Sequence, residues 1–241
     1  IGILDKSKFI CLNVREGKYH KKMNFHNYRN GNIDNYILAC EELTKLGYYI
    51  FRMGSKAVKP IKTNNKMIID YALNGMRTEF LDLYLGSKCS FCISTSSGID
   101  SIPIVSRKPM LFITVPIGYF YTFSNKFMSL TKHHFDIKSN KKLSLKEIFE
   151  RGVAYSLSSN EFKNKNVLLV DNSPNEIKNA VIEFHNKLLT NFSISNEEKI
   201  LEKKFWEIYG YYVSDYYKNG RLLHGKFKSN ICFSNINKNF F

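Results

Sequence analysis

The sequence lacks the motifs that announce the common nucleotide- and metal-dependent chemistries. Gly54-Ser55-Lys56 imitates the end of a P-loop, but the upstream glycine of G-x-x-x-x-G-K-[ST] is missing, so a P-loop is excluded. No G-x-G-x-x-G follows the first strand-like segment, which argues against a dinucleotide dehydrogenase. Ser96 and Ser97 lack the first glycine of a G-x-S-x-G elbow, which argues against a hydrolase nucleophile. The six histidines include no H-E-x-x-H, and the adjacent His133 and His134 point different ways, so no metal site is expected. Cysteines are few and odd in number: Cys11, Cys40, Cys89, Cys92 and Cys232 have no disulfide-scaffold spacing. The one C-x-x-C, Cys89 to Cys92, falls in an apolar strand-like run with no second pair, so these residues read as core in a reducing, cytosolic compartment. No apolar run is long enough to span a bilayer, and none reads as a signal peptide.

What is present is a globular composition. Of 241 residues, 44% are apolar, enough for a substantial core in one large domain or two small ones. The formal charge of +15 suits phosphorylated substrates, nucleic acid or an anionic membrane surface. It is also what a Lys-, Asn-, Ile-, Tyr- and Phe-rich composition produces without any anionic partner. The densest basic clusters, Lys141-Lys142 and Lys203-Lys204, are pairs and read as solvated surface, which disfavours nucleic acid. The chain opens on Ile1, not Met, and enters a strand-like segment almost at once, as an excised part of a longer polypeptide would.

Along the chain, short apolar runs alternate with helical spacing. Lys8–Val14, Tyr48–Phe51, Lys66–Tyr71, Cys89–Ser94 and Pro109–Val115 read as strands, and Asn166–Val170 as a sixth. Asn32 caps a helix with apolar residues from Ile33 to Leu46, stopped by Gly47; Thr78 caps another, closed by Gly86. Ser144 with Glu147 and Ser173 with Glu176 have capping-box spacing, the second with Pro174 at the first helical position. A further helix starts at Asn196. Residues 16–31 and Pro116–Asp136 read as long loops, the second aromatic, and the tail after Arg221 is basic and aromatic without a period. Such alternation predicts an α/β fold with a parallel sheet covered by helices on both faces.

Ligands of such sheets bind beyond the carboxyl ends of the strands. Arg15, Arg52 with Gly54, Asp70, and Thr95-Ser96-Ser97-Gly98 all fall at those ends. Ile99 to Pro103 opens a helix after the TSSG turn, so hydroxyls, backbone N–H groups and a helix dipole converge on one point that suits a phosphate. Gly98 would let the backbone approach it closely. Arg15 can clamp a diphosphate bidentately. Glu16, His20 and Asp100 are the nearest candidates for a general base, although Asp100 also suits a helix cap.

The segments CLNVREGKYH, YRNGNIDNYILACEELTKLGYYIFRMGSK, IIDYA, CSFCISTSSGIDSIP, FSNKF and VLLVDNSPNEIKNAV, spread over most of the chain, resemble a family of bacterial glycosyltransferases of GT-B type. That family is distantly similar to the O-fucosyltransferase superfamily. The resemblance implies residues 1–190 as a Rossmann-like nucleotide-sugar-binding unit, the C-terminal half of a GT-B enzyme. Residues 191–241 would be a C-terminal helix and tail packing on it or on a missing N-terminal domain. It implies a cytoplasmic enzyme of surface-polysaccharide or glycan assembly, inverting and metal-independent, with a nucleotide-sugar as substrate and no cofactor. The acceptor would be a glycan or a lipid-linked sugar, reached by peripheral contact with the inner-membrane surface. Arg15 resembles the phosphate-binding arginine of an H-x-R pattern in which Asn13 here replaces the histidine, and Ser96 and Ser97 resemble the serines that hold the donor phosphates. Glu16 stands beside Arg15 as the second catalytic candidate. The alternatives on the same sequence are a nucleotide-sugar epimerase or hydrolase, and a basic non-catalytic module for RNA or membrane.

Overall fold

The computed structural model of the chain describes residues 7–17, 24–117, 124–218, 230–234, 236 and 240–241. Its strands are β1 (Phe9–Asn13), β2 (Tyr49–Met53), β3 (Ile68–Ile69), β4 (Cys92–Ser94), β5 (Met110–Val115), β6 (Phe127–Thr131), β7 (His133–Asp136), β8 (Val167–Val170) and β9 (Asn230–Ile231). Its helices are α1 (Ile37–Lys45), α2 (Glu79–Lys88), α3 (Ser101–Val105), α4 (Leu145–Glu150), α5 (Ser159–Asn164), α6 (Pro174–Leu189) and α7 (Asn196–Lys218). Seven strands form one sheet in the order β3-β2-β1-β4-β5-β6-β9, every neighbouring pair parallel. The first six follow the 3-2-1-4-5-6 order of doubly wound proteins, so the fold is Rossmann-like α/β.

Burial on both faces explains why these strands read as unbroken apolar runs. In β1, Ile10 and Leu12 join a core with Cys40 and Leu43 of α1 and Ile177, Val181 and Phe184 of α6. Cys11, between them, joins Leu85 of α2, Cys92 and Phe112 on the other side. A bulge in β5 alters this alternation. Thr114 takes φ +59°, the pairing with β6 skips it, and Val115 returns to the face of Met110 and Phe112. The Thr114 and Tyr36 hydroxyls hydrogen-bond at 2.7 Å in the interior. A third core, built from α4, α5, α7 and β8, takes in Phe149, Phe162, Phe205, Tyr209 and Ile231. The described parts of residues 191–241 therefore pack on this same unit.

Several expectations change. The Lys66–Tyr71 strand shrinks to Ile68–Ile69, and the Cys89–Ser94 strand starts at Cys92, because α2 runs through Gly86 to Lys88 and Cys89 caps it. Gly86 lies inside the helix where α3 packs closest: a Cβ there would sit 2.8 Å from Cγ2 of Ile102. The expected loop Pro116–Asp136 contains β6 and β7. Asn166–Val170 does form a strand, but it pairs antiparallel with β7 outside the parallel sheet. Asn32 caps a 3-10 turn, Ile33–Tyr36, which leads into α1. Both capping boxes are formed. His20 lies outside the described residues, as does most of the basic tail. No helix among the described residues is long and apolar enough to cross a membrane.

Phe184 is fully buried against Phe91 and Phe192. Phe184→Ala is expected to cost about 3–5 kcal/mol, read by denaturant unfolding. At the start of α6, the Glu176 carboxylate is held down to about 2 from 4.5, first by its hydrogen bond to His133 and then, against the opposing effect of burial, by the Ser173 N–H. Its folded value lies below its unfolded one, so its stabilisation is full above the unfolded value and disappears as pH falls through the folded one. Glu176→Gln should therefore lower the melting temperature at neutral pH and flatten its fall between about pH 4.5 and about pH 2, where the parent loses this contribution.

Candidate functional site

The strand order reverses between β1 and β4, and a crevice opens there beyond the strand ends. A buried polar knot fastens its two lips. The Asn13 amide donates to Ser97 Oγ at 2.6 Å and Asp100 Oδ1 at 2.9 Å. Ser94 Oγ and the Ser97 N–H donate to Asp100 Oδ2 at 2.8 and 2.7 Å. Burial raises the Asp100 pKa; the Ser97 N–H, Ser94, Asn13 and the Arg29 charge oppose that rise. Asp100 thus closes the capping box of the 3-10 turn Gly98–Asp100, whose N-cap is Ser97, with both oxygens engaged. Further bonds run between the lips: the Arg15 N–H donates to Thr95 Oγ1 at 2.8 Å and the Thr95 N–H to the Asn13 carbonyl at 3.0 Å.

The TSSG turn divides into back and front. Thr95 and Ser96 are buried, while Ser97 and Gly98 line the crevice. Ser96 holds φ +67°, a conformation that costs a non-glycine residue about 1–3 kcal/mol. Its carbonyl accepts from Arg29 Nη2 at 2.8 Å, which holds the turn in place. A Cβ at Gly98 would meet nothing within 4 Å, so its backbone faces open space.

The crevice has a volume of about 550 Å³. Arg15, His26, Arg29 and Lys56 bring basic groups to its wall, and Glu16 and Asp82 bring carboxylates. Arg29 and His26 sit on a 3-10 turn, Asn24–Arg29, inside what reads as a polar loop. Gly31 lets that loop close on the strand ends: its N–H donates to the Arg15 carbonyl at 2.9 Å, and a Cβ would lie 3.2 Å from Cγ2 of Thr95. Arg15 Nη1 reaches the His26 carbonyl at 3.4 Å.

Comparison of the chain with protein-family models, curated proteins and solved structures finds no match. The case for a site therefore rests on its own geometry.

That geometry separates the residues expected from the sequence. Asn13, Arg15, Glu16, Gly54, Ser97 and Gly98 line the crevice, and Thr95 and Ser96 support it from behind. Arg52 and Asp70 take a different role. Arg52 is fully buried, its guanidinium 2.9 Å from both Glu16 Oε2 and Asp70 Oδ1. Glu16 Oε2 also accepts from the Val58 N–H at 2.8 Å, and Asp70 Oδ2 from the Ile61 N–H at 3.0 Å. This clamp binds the end of β1, the loop after β2 and the end of β3 into one wall. Of the described base candidates, Asp100 has both carboxylate oxygens engaged, and Glu16 has its Oε2 engaged by Arg52 and the Val58 N–H. Arg29, His26 and Lys56 were not anticipated; the cue for the first two was the weight of His, Tyr and Arg at the end of the polar loop. Among the described residues no group of three or more His, Cys, Asp or Glu could hold a metal ion.

Removing a buried partner leaves charge uncompensated. Arg52→Met is expected to destabilise by about 3–5 kcal/mol, measured by urea unfolding. The triple variant Arg52→Met, Glu16→Gln, Asp70→Asn should recover part of that loss, because the carboxylates left behind are the cause.

Proposed function

We propose that this crevice binds the diphosphate of a nucleotide-sugar and that the chain is the donor-binding portion of a GT-B-type glycosyltransferase. The observation that carries the reading is the meeting of Arg15, Arg29 and the Ser97-Gly98 turn in one crevice at the point of strand reversal. Sugar transfer develops positive charge on the sugar ring and negative charge on the departing diphosphate. Cations fixed in advance around that diphosphate lower the barrier, because they need no reorganisation as the charge appears. Arg15 and Arg29 would supply the charge. Ser97, whose oxygen already accepts from Asn13, retains its own hydrogen to donate toward the crevice.

The resemblance to GT-B glycosyltransferases supports transfer to a glycan or lipid-linked acceptor, with inversion and without a metal. Asn13, Thr95, Ser96, Arg52 and Asp70 act on the donor through the shape of the wall. The crevice is concave and its basic groups converge, which suits a compact anion better than an extended polymer.

The test is a thermal-shift and calorimetric screen of the purified chain against UDP, GDP, CMP and ADP and their sugar conjugates. A selective response is expected, equivalent to about 2.7 kcal/mol at a hundredfold excess over the dissociation constant. Arg15→Ala should weaken binding by roughly tenfold or more while leaving the fold intact, since it removes a charge-assisted contact; Arg29→Ala should weaken it at least as much, since it also releases the Ser96 carbonyl. Folded variants that bind as tightly as the parent would overturn the assignment.

A further inference from the structure

His26 combines three features at one place. Its ring lines the crevice with Arg15 and Arg29. Its Nδ1 is shut off from solvent and has no hydrogen-bond partner. Its turn is fixed from both sides: the Ser159 hydroxyl accepts from the Tyr28 N–H at 3.1 Å and donates to the Phe25 carbonyl at 3.2 Å. A ring held this way has no acceptor for a proton on Nδ1 among the described residues, and two guanidinium groups act on it. Burial lowers its pKa first, and the charges of Arg15 and Arg29 lower it further. The same arginines that would hold a phosphate thus add to burial in disfavouring the charged ring.

We propose that His26 is the third anion-binding group of the crevice and that it binds as the imidazolium, so that the site takes up one proton from solution together with its phosphate ligand. The inference rests on the reading of the crevice as a diphosphate site. An anionic oxygen between the arginines offsets the charge that opposes protonation. Among the described residues, the charged groups that act on His26 are Arg15, from the end of β1, and Arg29, on its own turn. Glu16, Lys56 and Asp82 line the same crevice. On the side of α5, Ser159 and Phe162 meet the turn, and neither titrates. The ligand class that gains most carries several negative charges close together, as a diphosphate does. Affinity should rise as pH falls, because the proton is bound in the complex and absent without it.

Inorganic pyrophosphate is the probe. Calorimetry in buffers of different ionisation enthalpy counts the protons taken up, and the ligand's own protons cancel in the difference between the parent and His26→Gln. Over the window in which the ring titrates, the parent should bind roughly tenfold tighter per pH unit relative to His26→Gln. It should also take up close to one proton more at its midpoint. The parent alone gives a second readout: the His26 ring resonances should shift their titration to higher pH on adding pyrophosphate. If pyrophosphate binds with the same proton uptake in both proteins and the ring titration does not move, the role of His26 is overturned and the anion site stands. If pyrophosphate does not bind the parent at any pH, the anion site fails and this inference with it.

Discussion

The Asp100 carboxylate, buried at the point where the sheet reverses direction, is the constraint on which the rest of the site depends. A buried carboxylate is tolerated only when both oxygens find donors. Here the donors come from β1, through Asn13, and from β4 and its turn, through Ser94 and the Ser97 N–H. Satisfying one charge therefore ties together the two strands that diverge at the crevice. With that tie in place, Ser96 can hold its left-handed backbone, Ser97 and Gly98 face outward, and Arg29 has a carbonyl on which to settle. The energetic stakes are those of any buried polar network: satisfied it fixes one arrangement, and half-satisfied it costs more than an apolar substitute.

A second charged device does the same for the opposite wall. Arg52 stands between Glu16 and Asp70, and the backbone N–H groups of Val58 and Ile61 share the two carboxylates. The fully buried cation does not reach the crevice, but it decides where Glu16 and the loop after β2 sit. The site thus separates buried charges that hold it in shape from Arg15 and Lys56 on its wall, while Arg29 lines the same wall and also holds the Ser96 carbonyl.

How far the sequence revealed this depended on the kind of information each residue carries. The first five strands of the parallel sheet were legible because burial on both faces leaves a continuous apolar run, and the caps at Thr78, Ser144 and Ser173 because one hydroxyl three residues ahead of a donor is a local pattern. β6 and β7 were read as loop because β6 is a short run flanked by Lys126 and Lys132, and β7 opens on two histidines and takes its regularity from antiparallel pairing with β8. The crevice was legible as a set of strand ends. The partition within it was not: a strand-end arginine such as Arg52 looks the same in sequence whether it meets a ligand or two carboxylates from other loops. Arg29 and His26 sit on a 3-10 turn with no hydrophobic period, delivered by the close approach of Gly31, which is a tertiary event.

The central claim is that one anion site lies at the β1–β4 lip. Amide chemical-shift mapping of the isotope-labelled protein during a titration with a nucleoside diphosphate tests it most directly. The account expects saturable changes concentrated on Arg15, Gly54, Ser97, Gly98 and Ile99 and on the turn carrying Arg29, with the far end of the sheet unmoved. Changes scattered over surface lysines and abolished by moderate salt would contradict it, since only non-specific attraction to the net positive charge would then remain.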